Sequence, residues 1–97
     1  MYLKYILLLN LVVQIEVEEV RNLCQTFGQL VNFTAHYPIN TAIARYSNPH
    51  EAQLAKKSMN FHRFGQFMIL TSIASDSEVC ALMYFFVKLN CCFNHCG

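Results

Sequence analysis

What most limits the fold of this chain is the order in which its apolar periodicity switches. Lys4 to Leu11 is an aliphatic run led by Leu and Ile that closes at Asn10, the pattern of a central strand covered on both faces. From Glu16 the spacing lengthens. Val17, Val20, Leu23, Cys24 and Phe27 recur every three or four residues, with Glu16, Glu18 and Glu19 in the first turn and Gly28 as a stop, so a helix is predicted. Leu30 to Ala35 and Thr41 to Tyr46 alternate on either side of a turn spanning His36 to Asn40, which gives a hairpin with a long loop. Asn48 then Pro49 is a cap followed by a first helical residue, and Ala52, Ala55 and Met59 place small or apolar groups on one face of a second helix. Phe67 to Ile73 is expected to form one further strand. The order βαββαβ lays two helices on one face of a four-stranded antiparallel sheet.

Beyond this α+β, ferredoxin-like split βαβ unit, Ser75 to Glu78 reads as a capping box and Val79, Leu82, Met83 and Phe86 form a helical stripe. The predicted organisation is a domain over 4–75, a C-terminal helix over 76–89 and a Cys-rich tail over 90–97. Ninety-seven residues suit one small domain. Seven Lys and Arg against six Asp and Glu leave a net charge of only +1, with no basic surplus of the kind that neutralises phosphates. A hydrophobic content of 55% with 13% charged residues implies that apolar surface is covered by a partner or by more of a longer protein, so the chain reads as a fragment. Lys4 followed by Tyr5 to Val13 has some signal-peptide character but no small-x-small cleavage site after it, and Val79 to Val87 is too short to span a bilayer. No membrane association is expected. Of five cysteines, Cys24 falls on an apolar helical stripe, where a reduced and inert thiol is expected, and a reducing compartment is favoured.

Strand alternation sends Ile6, Leu8, Ala42, Ala44 and Tyr46 toward the helices and leaves Leu7, Leu9 and Ile43 on the outer face. The segments Ile6 to Leu11 and Ile39 to Tyr46 resemble the two central strands of an RNA-recognition motif (RRM). In that fold the second position of the first segment and the third and fifth of the second carry rings on which bases stack. Here they are Leu7, Thr41 and Ile43. Each base–ring stack is worth roughly 1–3 kcal/mol, so little sheet-borne RNA affinity is expected. Exposed aliphatic groups would forgo roughly 1.5–3 kcal/mol of burial each, and coverage by Val79, Leu82, Met83 and Phe86 is the expected remedy.

Asn10-Leu11, Gln14-Ile15, Arg21-x-Leu23-Cys24, Gly28-x-Leu30 with Phe33, Arg45-Tyr46-Ser47, Glu51-Ala52-x-x-Ala55-x-Lys57-Ser58 and Ile69-Leu70 through Ala74-Ser75 resemble the RRM domain of the glycine-tryptophan-repeat silencing proteins, the Gawky or trinucleotide-repeat-containing-6 family. The resemblance implies a large cytoplasmic P-body scaffold that bridges Argonaute to deadenylase and poly(A)-binding proteins in microRNA-guided repression. It also implies an RRM without stacking rings, its sheet covered by an extra C-terminal helix. Protein partners within a silencing complex would then be reached through the parent protein. The tryptophan repeats that capture Argonaute lie outside this chain, which has no Trp. Val12-Val13 stands where the family has Thr-Pro, and residues 90–97 have no counterpart in it.

No catalytic constellation, phosphate-cradling glycine loop or paired carboxylates are present, so no enzyme activity, cofactor or small-molecule substrate is expected. Cys91, Cys92, His95 and Cys96 span too little chain to wrap a tetrahedral ion, so no metal is expected, and His36, His50 and His62 are expected at the surface. The alternative function is a genuine single-stranded RNA-binding RRM that uses Tyr37, Arg45, Phe61, Arg63 and Phe64 near the loops.

Overall fold

The computed structural model describes residues 3–93, with side chains described through residue 84. Its elements in chain order are β1 (Tyr5–Leu9), α1 (Val17–Thr26), β2 (Leu30–His36), a 3-10 turn (Tyr37–Ile39), β3 (Thr41–Tyr46), α2 (Pro49–Met59), β4 (Arg63–Phe64), β5 (Phe67–Met68), β6 (Leu70–Ala74) and α3 (Asp76–Phe93). The main sheet has the order β2-β3-β1-β6, antiparallel throughout, so the aliphatic β1 is central as its sequence requires.

Alternation divides the sheet into two unlike faces. Ile6, Leu8, Ala42, Ala44 and Tyr46 are fully buried with Val20 and Cys24 of α1 and with Ala52, Ala55 and Met59 of α2. The two alanines let α2 lie close on the strands. Tyr46 threads its ring through this layer, and its hydroxyl donates to the Cys24 carbonyl at 2.7 Å. Burial pushes the Cys24 thiol up to about 12, which keeps it protonated and inert beside the Met59 sulfur at 3.9 Å.

Local signals set the helix ends. Asn48 caps α2 by accepting from the Glu51 amide at 2.9 Å, with Pro49 opening the helix. Gly28 follows α1 without a positive φ, so left-handed backbone is not what demands glycine there. A Cβ at this position would meet the Glu51 Cβ at 2.5 Å. Glu51 is held at that spot by bonds its Oε1 accepts from the Gln29 amide and the Ser47 hydroxyl.

Several expectations need correcting. The single strand expected over Phe67 to Ile73 is divided: Ile69 leaves the ladder, buries its side chain and bonds its backbone to Phe61 and His62. Phe67–Met68 instead pairs with Arg63–Phe64 in a small hairpin turned by Gly65 at φ +64°. His36, expected at the surface, ends β2 and is buried. The third helix continues to Phe93, four residues past the expected boundary at 89, and so includes the start of the 90–97 tail.

Candidate interaction surface

The outer face of the sheet is a grid fixed by strand register. One row runs His36, Thr41, Leu9, Leu70; the next Thr34, Ile43, Leu7, Ser72; the last Asn32, Arg45, Tyr5, Ala74. Leu7 and Ile43, two of the three ring-deficient positions, are therefore direct cross-strand neighbours at the centre. The third, Thr41, is buried and spends its hydroxyl on the Ile39 carbonyl at 2.8 Å.

α3 starts just past the last row. Its first turn is a capping box: the Glu78 carboxylate accepts from the Ser75 amide at 2.9 Å while the Ser75 hydroxyl accepts from the Glu78 amide at 3.2 Å. Hydrogen bonding from Ser75, its backbone N–H first and its side chain second, holds the Glu78 carboxyl below the usual carboxylate range. This start aims Val79 onto the sheet. Val79, Ile43 and Ala74 form a buried cluster, 7%, 5% and 0% exposed, against which Tyr5, Leu7, Leu82 and Met83 also pack. Phe86, the fourth residue of the predicted stripe, lies outside the residues whose side chains are described.

The coverage leaves a groove of about 340 Å³ on the β2–β3 side of α3. Tyr5, Asn32, Thr34, Ile43 and Arg45 form its sheet side, and Val79, Cys80 and Met83 its helix wall. The Arg45 guanidinium lies 5.7 Å from the centre of the Tyr5 ring, and its Nε is out of water with no hydrogen-bond acceptor.

The comparisons bear on what carries this geometry. No family model matches the sequence. The chain is 35% identical over 75 residues to the human protein named trinucleotide repeat-containing gene 6C protein, a match that covers 77% of this chain but only 4% of that protein. The RNA15 RRM superposes with a TM-score of 0.72 at 15% identity, covering 82% of this chain and 99% of that one. The first two RRM domains of yeast poly(U)-binding protein give 0.67 at 19% identity, covering 73% of this chain and 46% of that one. The chain is an RRM domain of the trinucleotide-repeat-containing-6 family.

In this trinucleotide-repeat-containing-6 RRM the five residues expected to contact RNA are not one surface. Arg45 sits in the groove row, whereas Tyr37 follows the far end of β2 and Phe61, Arg63 and Phe64 lie around the β4–β5 hairpin just before β6, on the opposite edge of the sheet from Tyr37. Tyr37 is committed to packing, and its hydroxyl donates to the Ile15 carbonyl at 2.8 Å. Phe64 packs on the core and meets the His62 ring edge-on. Only Phe61 of the three rings is open, 63% exposed, on a backbone at φ +67°. Tyr5, Asn32, Thr34 and Cys80 escaped the sequence reading as groove residues, although alternation from Leu7 and Ile43 already assigns Tyr5 and Arg45 to one face. Among the described residues no group of three or more His, Cys, Asp or Glu is arranged to hold a metal ion, and the tail cysteines lie outside those side chains. No helix among them is long and apolar enough to cross a membrane.

Proposed function

We propose that the domain is a non-catalytic interaction module of a microRNA-silencing scaffold, working in the cytoplasm and its P-bodies, with little or no RNA held on its sheet. The observation that carries this reading is the seat of Val79 on Ile43: the place where a base would stack is filled by the chain's own helix. The missing rings point the same way, since three lost stacks remove roughly 3–9 kcal/mol. Family membership supports protein partners within a silencing complex, reached through the parent protein. Fluorescence anisotropy with short single-stranded RNAs at physiological salt tests the proposal. No saturable binding is expected, and low-micromolar binding centred on the sheet would overturn it.

The exposed Phe61 ring, two residues from the exposed Arg63, favours a second reading, in which loop aromatics hold single-stranded RNA; the yeast structural neighbour is named for binding poly(U). This second reading requires resonances at Phe61 and Phe64 to move on adding RNA.

A further inference from the structure

We propose that the groove beside α3 is a docking site for an extended peptide carrying an acidic side chain next to an apolar one, with Arg45 receiving the carboxylate. The inference rests on the reading of the domain as a protein-interaction module and names the chemistry of its partner. Among the described residues Arg45 pairs with no carboxylate: the single ion pair there joins Arg21 to Glu18 on α1. The Arg45 guanidinium lies over the Tyr5 ring, and its Nε–H is out of water with no hydrogen-bond acceptor. A buried donor lacking an acceptor is costly, and a carboxylate oxygen is the acceptor that best matches the guanidinium fork. The surroundings extend the match. Asn32 and Thr34, two residues apart on edge strand β2, present polar groups to the groove, while Ile43, Val79 and Met83 form an apolar wall.

Charge and size select a peptide over a nucleic acid. Arg45 is the one cation in the groove lining and its guanidinium already lies over Tyr5, the one aromatic ring there, so a nucleotide would find one phosphate contact and a ring already engaged by a cation. A volume of about 340 Å³ holds one or two side chains. β2 ends the sheet on this side, so a peptide lying along it would bring alternate side chains down into the groove.

The test is a titration of the full chain, followed by NMR, with an acetylated and amidated hexapeptide of alternating Glu and Leu. Its Gln–Leu counterpart and octauridylate serve as comparisons. The Glu peptide should shift the Arg45 Nε–H resonance together with the amides of Thr34, Ile43 and Cys80, at least about tenfold more tightly than the Gln peptide. Arg45→Gln should erase that preference. Cys80→Phe, which changes an exposed residue on the helix wall and leaves the sheet intact, should block both peptides. Equal response to the two peptides, or none at Arg45, overturns the groove proposal and leaves the interaction-module reading in place. A response at Arg45 to octauridylate overturns both.

Discussion

At the scale of single residues, two positions carry constraints that their chemistry alone would not announce. Gly28 is required by proximity to Glu51 and not by backbone conformation. Gly28→Ala should therefore destabilise the domain by about 1–3 kcal/mol in urea unfolding, with an unchanged m-value. Phe61 is the reverse case, an aromatic ring in solvent on left-handed backbone that favours glycine or asparagine. Phe61→Asn should stabilise by about 0.5–1 kcal/mol in the same assay while removing the one open loop ring. Glu78 adds a pH dependence with a definite sign. Its folded carboxyl is depressed, so the capping box contributes in full above the ordinary carboxylate range and is lost as pH falls through the lowered folded value. The Cα shifts of residues 76–79 should lose helical character on acidification, and Glu78→Gln should flatten that dependence.

At the scale of elements, the relation that matters is between α3 and the sheet it crosses. Val79 is the α3 residue buried with Ile43, and Leu82 and Met83 of the same helix pack against that cluster. Val79→Asp should cost about 2 kcal/mol, the worth of a buried valine, and should raise amide exchange in residues 79–84 without collapsing the β1–β3 ladder. Element identity was legible in the sequence wherever periodicity was long enough to read: β1, α1, the β2–β3 pair, α2 and the Ser75 to Glu78 cap all follow from spacing and capping. The break at Ile69 was not, because it is made by backbone bonds to Phe61 and His62, which only the folded chain brings near. Gly65 two residues ahead of Phe67 was the one local sign of the small hairpin, since a turn of two residues with glycine first needs a positive φ.

At the scale of the whole molecule, the RRM sheet is kept and its outer face carries Val79 of α3 seated against Ile43. Leu7, Thr41 and Ile43 could be placed on one face from sequence because strand alternation fixes which side chains share it. The groove could not, since its walls come from β1, β2, β3 and α3 and exist only once the helix has chosen its path. The burial of His36 was hidden for a similar reason: its position at the end of β2 looks like a loop until β3 pairs with it. Burial also holds the His36 imidazole below its ordinary range, in line with a neutral ring at that sheet edge. The central claim is that α3 closes the outer face at the stacking positions, and methyl NOE spectroscopy on the intact chain tests it most directly. Strong cross-peaks from the Val79 methyls to Ile43, and from the Leu82 methyls to Leu7 or Tyr5, are the predicted result; their absence, with residues 79–84 exchanging amides as freely as an open helix, would contradict it.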